Sequence, residues 1–250
     1  MRPDRTAPRG ATKLSVIVPV YNERQTIRPL LEKVSAVDLK PVGLEMELIV
    51  VDDGSRDGTR EILRDLTGVI PFVLHEAPVN QGKGAAIRAG LTRVTGDLVI
   101  IQDADLELDP TEYPKLVEPI LAGRTSVVYG SRFRQRVSGL PVLSLLANRF
   151  LTGLTNVLYG SRLTDMETCY KVFRTEVIQG IRLTCRRFEF EPEVTAKTLR
   201  LGYEIAEVPI SFSPRSRQQG KKINWPDGVR AIGYLVRYRF TPRASLLERR

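Results

Sequence analysis

Four uncharged, strand-forming residues, Leu98 to Ile101, lead directly into two carboxylates separated by one residue, Asp103 and Asp105. Such a run is typical of a strand buried on both faces. Because side chains alternate along an extended backbone, both carboxylates are expected on the same side. Paired oxygen ligands suit Mg²⁺ or Mn²⁺ bound together with substrate phosphates. The pattern predicts a divalent cation site, and Glu107 would be in reach of the same ion.

These acidic residues could also have a purely structural role and bind no metal. An isolated Asp-x-Asp arises often by chance, and its side chains would then cap the next helix or lie solvated in a loop. Polar clusters follow four other predicted strands, however, and ligands bind beyond the carboxyl ends of strands in parallel α/β sheets. Those clusters are Tyr21-Asn22-Glu23, Asp52-Asp53, Gly82-Lys83-Gly84 and Arg132. Their recurrence favours a ligand site.

Short apolar runs alternate with segments whose apolar residues recur at helical spacing. The strands expected from these runs are 14–18, 46–51, 72–74, 98–101, 126–129 and 203–210. This alternation predicts an α/β fold with a mainly parallel central sheet flanked by helices. We expect a disordered basic arm over 1–13, one domain over 14–240 with acceptor-side helices at its C-terminal end, and a basic tail over 241–250. No Walker sequence or Gly-x-Gly-x-x-Gly is present, which disfavours P-loop and dinucleotide-binding proteins.

The chain is basic, with 38 Lys and Arg against 29 Asp and Glu and a net charge of +9. This balance favours an anionic partner: a nucleotide, a phospholipid surface or a nucleic acid. A nucleic-acid-binding protein is disfavoured because aromatic residues do not interleave a basic face. Two cysteines without a Cys-x-x-Cys spacing indicate a reduced, cytosolic protein, and the single histidine, His75, excludes a His-rich zinc site.

The second half of the chain holds two features with alternative interpretations. Residues 143–158 form a helical apolar stripe, which suits a membrane-surface helix, a helix that shields a lipid chain, or an ordinary core helix. Arg215, Arg217, Lys221 and Lys222 form a cationic loop, suited to closing over phosphates or simply solvated. A basic amphipathic helix follows, ending near Phe240.

The order of these motifs resembles that of the family 2 glycosyltransferases with the GT-A fold, over roughly residues 14–240. The motifs are Val18-Pro19-Val20-Tyr21-Asn22-Glu23, the segment 50–59, Asn80-Gln81-Gly82-Lys83-Gly84, Asp103-Ala104-Asp105 and Gly130-Ser131-Arg132. Two further segments, 208–212 and Asp165 to Lys171, are similar to those of polyprenyl-phosphate (dolichyl-phosphate) mannosyl- and glucosyltransferases. The resemblance implies hexose transfer from UDP-glucose or GDP-mannose to a polyprenyl phosphate.

The resemblance also implies roles for individual residues. The donor pocket would be formed by Pro19, Tyr21, Glu23, Val51, Asp53, Lys83, Asp103, Ala104 and Asp105. The metal would be held by Asp103, Asp105 and Glu107, where mannosyltransferases more usually carry glutamine at the last position. The catalytic residues would be Asp105, Arg132, Arg215 and Lys221, the last three facing phosphates. Acceptor contacts would come from Asn148, Arg149, Asp165, Glu167 and Lys171.

A lipid phosphate is already anionic at neutral pH, so it needs cations rather than a general base. We therefore expect a single in-line displacement with inversion at the anomeric carbon and no protein nucleophile. With a sugar-hydroxyl or small phosphorylated acceptor instead, Asp165 or Glu167 becomes a candidate base. A catalytically silent nucleotide-sugar or membrane-binding module is the alternative of another class. The expected location is cytoplasmic, peripheral on the cytoplasmic face of a membrane, with the donor and a lipid phosphate as partners.

Overall fold

The computed structural model describes residues 12–135, 140–214 and 225–248. These residues form seven strands: β1 (Lys13–Val20), β2 (Glu45–Asp52), β3 (Val73–Glu76), β4 (Leu98–Ile101), β5 (Val127–Ser131), β6 (Lys171–Arg174) and β7 (Ile205–Pro209). The α-helices are α1 (Ile27–Ser35), α2 (Thr59–Leu66), α3 (Lys83–Leu91), α4 (Tyr113–Leu121), α5 (Val142–Tyr159), α6 (Thr175–Gly180), α7 (Phe190–Arg200) and α8 (Trp225–Phe240).

All seven strands form one sheet in the order β3-β2-β1-β4-β6-β5-β7. Every pairing is parallel except those of β6, which runs antiparallel to both β4 and β5. The predicted α/β architecture with a mainly parallel sheet is confirmed. The sequence did not predict β6, because its four residues include a lysine and follow a mixed run of acids and core residues.

Strand β1 continues through Pro19, where the sequence predicted a stop. Gln102 donates its backbone N–H to the Ile17 carbonyl, so odd-numbered residues of β1 face β4. The missing N–H of Pro19 would therefore face β4 beyond Ile101, where that strand has already ended. Proline costs no ladder hydrogen bond at such a position.

Helices cover both faces of the sheet. Ile49 and Val51 of β2 pack with Ala86 of α3, whereas Val50 belongs to the larger core that includes α1. Alternate side chains of one strand therefore reach different helices, as expected for a strand buried on both faces. A Cβ atom at Gly90 of α3 would lie 2.6 Å from the Ile17 side chain, so glycine allows this helix to lie close to β1.

Helix α5 does not behave as a core helix. Only Leu151, Thr152 and Thr155 are buried along its length. Its large exposed apolar side chains are Val142, Leu143, Leu146, Phe150 and Val157, which we call the α5 apolar stripe. Within the described residues, no helix is both long and apolar enough to cross a bilayer.

Both predicted terminal segments extend partly beyond the described residues. Residues 1–11 of the predicted basic arm lie outside them, and Lys13 already belongs to β1. In the predicted C-terminal tail, Arg243–Leu246 forms a 3₁₀ turn with Leu246 fully buried, and Leu247 pairs with Ile181. This part of the tail therefore packs on the domain.

Candidate active site

The loops after β1, β2 and β3 meet at the carboxyl edge of the sheet. Asn22, at a φ of 51°, accepts the Arg56 N–H at its side-chain oxygen and donates its own N–H to Ser55. A Cβ atom at Gly54 would lie 2.7 Å from the backbone nitrogen of Asn80, and its φ is +77°. Only glycine suits both this conformation and this close approach. The three polar loops therefore form one surface.

The two consecutive acids at the end of β2, Asp52 and Asp53, are held by different partners. Asp52 is fully buried and forms a hydrogen-bonded ion pair with Arg60 at 2.7 Å. Asp53 accepts the backbone N–H groups of Gln81 and Gly82 at 2.8 and 2.7 Å. Burial raises the pKa of Asp53, and these two hydrogen bonds act against that rise. The predicted donor residue Asp53 thus fixes the loop that leads into Lys83.

Other residues predicted to bind the donor lie beside this loop. Pro19 and Val51 are register partners in neighbouring strands, and both are buried. Tyr21 is half-buried, and Glu23 is 9% exposed with its carboxylate accepting the Thr26 hydroxyl at 2.7 Å. The same hydroxyl lies 2.9 Å from the Ala104 carbonyl oxygen. A hydrogen-bonded link therefore joins the start of α1 to the Asp-x-Asp segment.

Lys83 joins the glycine-rich loop to the Asp-x-Asp segment and to α7. Its ammonium nitrogen lies 2.7 Å from Asp103 Oδ1 and 2.8 Å from Glu191 Oε1. Burial alone would lower the pKa of Lys83, but the neighbouring Asp103 and Glu191 carboxylates outweigh it and raise the pKa well above its usual value. A permanent positive charge therefore lies between two carboxylates at the edge of the sheet.

A buried amide supports the Asp-x-Asp segment from below. Gln102 is fully buried, and its side-chain oxygen accepts the hydroxyls of Tyr113 and Tyr170 at 2.6 and 2.7 Å. Its Nε2 donates to the Asp103 carbonyl at 2.9 Å. Asp105, 6% exposed, accepts the Glu107 N–H at 3.0 Å. The backbone that presents both aspartates is thereby fixed.

The described residues contain no group of three His, Cys, Asp or Glu side chains placed to hold a metal ion. Asp103 and Asp105 nevertheless offer the oxygen ligands that Mg²⁺ and Mn²⁺ prefer. Such ions are commonly bound by one or two carboxylates together with substrate phosphates. These two carboxylates suit a cation whose remaining ligands come largely from a bound diphosphate. The Lys83 ammonium would compete with that cation for Asp103.

Arg132 is held by Asp165 at the end of β5. Its side chain donates to both Asp165 oxygens at 2.7 and 2.8 Å, and its backbone N–H donates to the same carboxylate at 3.0 Å. The guanidinium also lies over the Phe212 ring, 5.1 Å from its centre. Asp165 is completely buried. The structure thus brings these two predicted residues together as a bidentate pair.

Two predicted acceptor residues lie next to this pair, Glu167 half-buried and Lys171 fully buried. The Glu167 Oε1 atom is buried and has no hydrogen-bond partner within the described residues. Burial and then the Glu191 charge raise the pKa of Glu167 to about 7, while Lys171 and Arg132 act in the opposite direction. Lys171 is fully buried and donates to the carbonyls of Met166 and Thr168.

The remaining predicted residues are spread more widely. Asn148 and Arg149 lie on α5, half-buried and exposed respectively. The Glu107 carbonyl accepts the Ser213 N–H at 2.9 Å, which ties the Asp-x-Asp loop to the segment after β7. Arg215 and Lys221, both predicted to face phosphates, lie outside the described residues.

The sequence is similar to those of known proteins. A family model described as glycosyl transferase family 2 matches residues 15–182, which is more than half of the chain. The chain belongs to glycosyl transferase family 2. Among its curated relatives, dolichol-phosphate mannosyltransferase from Pyrococcus furiosus is 30% identical over 213 residues, covering 84% of this chain and 59% of that protein. Undecaprenyl-phosphate 4-deoxy-4-formamido-L-arabinose transferase from Aeromonas hydrophila is 34% identical over 210 residues, covering 83% and 62%. The chain therefore spans about three-fifths of the length of these relatives.

Solved structures agree with the GT-A fold. Glucosyl-3-phosphoglycerate synthase from Mycobacterium tuberculosis superposes with a TM-score of 0.66 at 24% identity, over 91% of this chain and 79% of that one. Mannosyl-3-phosphoglycerate synthase from Rubrobacter xylanophilus gives a TM-score of 0.68 at 20% identity, over 91% and 72%. The synthase from M. tuberculosis has also been crystallised with Mg²⁺ and UDP, in a structure with a TM-score of 0.68, 23% identity and coverage of 92% and 80%.

Two residues of this candidate site were not predicted from the sequence. Glu191 lies in the first turn of α7, where acidic side chains are common because they interact favourably with the helix dipole. The sequence around Glu191 therefore does not indicate its contact with Lys83. Gln102 stands between the strand and the first aspartate, and the sequence motifs assign it no role. An amide directly after a buried strand needs hydrogen-bond partners, which is a usable signal.

Proposed function

We propose that this protein is a metal-dependent, inverting glycosyltransferase that moves a hexose, glucose or mannose, from a nucleoside diphosphate sugar to a polyprenyl phosphate of the dolichyl or undecaprenyl type. The family membership supports glycosyl transfer, and the names of the curated relatives support a polyprenyl phosphate acceptor. The structural observation that most supports a lipid acceptor is the α5 apolar stripe, because an exposed apolar face of this extent suits a lipid surface.

The donor would lie across the carboxyl edge of the sheet. Pro19, Tyr21, Glu23, Val51 and Asp53 would line the pocket for its base and ribose. The diphosphate would extend toward Lys83 and the Asp103-Ala104-Asp105 segment. Lys83 is suited to this role because its ammonium is charged and held at a fixed position. Anionic phosphates beside a fixed cation are a recurrent arrangement in phosphoryl and glycosyl donor sites.

Asp103, Asp105 and Glu107 would hold the divalent cation with the diphosphate. When bound, the cation would offset the charge that develops on the departing nucleoside diphosphate. Arg132 would offset repulsion between donor and acceptor phosphates, together with Arg215 and Lys221. Asp165 keeps the Arg132 guanidinium in a fixed orientation by two side-chain hydrogen bonds. Attack by a phosphate oxygen at the anomeric carbon would then need no general base, since the phosphate is already anionic.

A lipid acceptor places the protein at a membrane surface, on the cytoplasmic face where nucleotide sugars are available. The α5 apolar stripe would face the acyl chains. Asn148 and Arg149 lie on the same helix, so a lipid phosphate near its first half would meet a cation. The net charge of +9 favours an anionic surface as well.

A small phosphorylated acceptor is the second candidate. It is favoured by the fold likeness to a glucosyl-3-phosphoglycerate synthase, together with the half-buried Glu167, whose Oε1 atom is buried without a hydrogen-bond partner within the described residues. A hydroxyl acceptor needs a base, and Glu167 or Asp165 would have to supply it. The Arg132 pair engages both Asp165 oxygens, which leaves Glu167 as the better placed of the two.

The test measures transfer of labelled sugar from UDP-glucose and from GDP-mannose, with and without Mn²⁺ or Mg²⁺. Undecaprenyl phosphate and dolichyl phosphate in detergent are the lipid acceptors, and 3-phosphoglycerate is offered in a separate arm. We expect metal-dependent label in an acid-labile lipid phosphate, with the anomeric configuration of the product inverted by NMR. Asp105→Asn should abolish this transfer, whereas Asp109→Asn, an exposed acid of the same loop, should retain it.

Label in phosphoglycerate but not in either lipid would move the acceptor to the second candidate. Retention of configuration would refute the single displacement. No transfer from any donor, with donor binding retained, would favour a silent nucleotide-sugar-binding module.

A further inference from the structure

A cationic cavity of about 420 Å³ lies outside the donor and acceptor residues described above. It is formed between the loop that precedes α7 and the middle of α8. Its lining residues are Thr184, Arg186, Arg187, Glu189, Arg230 and Tyr234. Three guanidinium groups against one carboxylate give the cavity a positive charge, and none of these groups has a role in the glycosyl transfer proposed above.

The loop that carries two of these arginines has a fixed backbone. The Gly84 N–H donates to the Arg187 carbonyl at 3.1 Å, and the Ala85 N–H donates to the Arg186 carbonyl at 3.0 Å. The Glu189 carboxylate accepts the Arg187 N–H at 2.9 Å. On the other side, the buried Glu193 carboxylate accepts the Cys185 N–H at 2.6 Å. The side chains of Arg186 and Arg187 therefore start from pre-organised positions.

The charges of the cavity are largely uncompensated. Within the described residues, Arg186 and Arg187 form no ion pair, and Arg230 pairs at 3.2 Å with Asp227, whose side chain is 17% exposed. The planar guanidinium groups of arginine match phosphate oxygens with paired hydrogen bonds. Cations that converge from two elements without buried carboxylate partners indicate a site for a phosphate-bearing anion.

The surface next to the cavity is apolar. Val229, Val236 and Phe240 of α8 are 57%, 42% and 77% exposed, and with Gly233 they recur at helical spacing. Arg230 and Tyr234, which line the cavity, directly follow Val229 and Gly233 of this stripe in sequence. Successive residues of an α-helix are rotated by about 100°, so the apolar stripe and the cavity lie on adjacent faces of α8. A ligand that fills both surfaces has a phosphate joined to an apolar portion. A free phosphate would leave the apolar stripe in water.

We infer that Arg186, Arg187 and Arg230 form a binding site for the phosphate of an anionic phospholipid head group, with the acyl chains passing along Val229, Val236 and Phe240. The site goes beyond the proposed glycosyl transfer, because it requires neither a sugar donor nor a polyprenyl phosphate. The inference concerns a resident membrane lipid rather than the acceptor.

The experiment measures binding of the full chain to vesicles of phosphatidylcholine with or without phosphatidylglycerol, by co-sedimentation. No nucleotide sugar and no polyprenyl phosphate is present, so the result is independent of the proposed function. Each basic residue near an anionic membrane contributes roughly fivefold in affinity, so Arg186→Gln/Arg187→Gln/Arg230→Gln should weaken binding to phosphatidylglycerol vesicles on the order of a hundredfold. Thermal unfolding of each variant verifies that it is folded.

Two matched variants distinguish a specific site from general attraction. Arg28→Gln/Lys33→Gln/Lys40→Gln removes the same number of charges from exposed positions near α1 and should change binding by less than about twofold. Replacement of the three site arginines by lysine keeps the charge but removes the paired hydrogen bonds, and should still cost roughly tenfold.

Equal loss in the α1 variant, or full binding by the lysine variant, would overturn the inference in favour of diffuse attraction. Binding of inorganic phosphate that depends on the three arginines, with vesicle binding unchanged by their replacement, would also overturn it, since the source would then be a soluble anion.

Discussion

The ammonium nitrogen of Lys83 lies 2.7 Å from a carboxylate oxygen of Asp103, at the point where the proposed cation would bind. This ammonium offsets the charge of one of the two aspartates without a metal, and it also reaches Glu191 on α7. Cation binding at Asp103 therefore has to compete with an existing ion pair.

Because of this competition, we expect Lys83→Met to raise the affinity for Mn²⁺ while lowering turnover. Lys83→Met removes this ion pair from Asp103, so Mn²⁺ should bind in the absence of donor roughly tenfold more tightly, as expected for a partly exposed ion pair. Turnover should fall, because the donor diphosphate loses a proposed cation contact. Isothermal titration with Mn²⁺ and steady-state kinetics measure the two effects. Lys115→Met, an exposed lysine paired with Glu112, is the control, and weaker Mn²⁺ binding by Lys83→Met would contradict the competition.

The raised pKa of Glu167 should make the stability of the protein depend on pH. Its pKa in the folded protein, about 7, lies above its ordinary value of 4.5, so the native state holds this proton more tightly than the unfolded chain. The free energy of unfolding should therefore fall as pH rises from about 4.5 to about 7, by about 3 kcal/mol. Urea unfolding of the wild type and of Glu167→Gln at several pH values tests this.

The glutamine variant should lack that part of the fall, because it does not titrate. Its turnover also separates the two acceptor classes. A phosphate acceptor needs no base at this position, so turnover should persist with glutamine. A loss of turnover by several orders of magnitude would instead identify Glu167 as a base for a hydroxyl acceptor.

Gln102→Leu should destabilise the protein by about 2 to 4 kcal/mol. The change leaves the buried hydroxyls of Tyr113 and Tyr170 without their shared acceptor, and an unsatisfied buried donor costs about 1 to 3 kcal/mol. Urea unfolding measures the loss. Adding Tyr113→Phe and Tyr170→Phe should recover part of it, since the orphaned hydroxyls are then absent. Strictly additive losses would show that the three residues do not act through these hydrogen bonds.

Asp165→Asn should lower stability by about 3 to 5 kcal/mol, because it leaves the largely buried Arg132 guanidinium without its anionic partner. If Asp165 acts only by orienting Arg132, the pH profile of turnover should keep its shape while kcat falls. Arg134→Gln, which removes a more exposed pair with Glu207, is a control and should cost less than about 1 kcal/mol. Disappearance of one limb of the pH profile in Asp165→Asn would assign the proton transfer to Asp165 instead.

The sequence determined the α/β architecture because buried parallel strands and their helices have local signatures. The run Leu98 to Ile101 became β4 with the expected bounds, and apolar residues at helical spacing became α1. The edge that carries Asp53, Lys83 and Asp103 was also predictable, since parallel strands place their carboxyl ends on one side.

Only the tertiary structure decided which polar groups meet and which apolar groups remain exposed. Glu191 is 88 residues from Asp103, and nothing near it in sequence indicates that Lys83 will bridge the two carboxylates. Strand β6 owes its position to antiparallel pairing with β4 and β5, a long-range choice that its four residues do not encode. The apolar residues of α5 look alike in sequence whether or not another element covers them, because burial depends on neighbours rather than on local pattern.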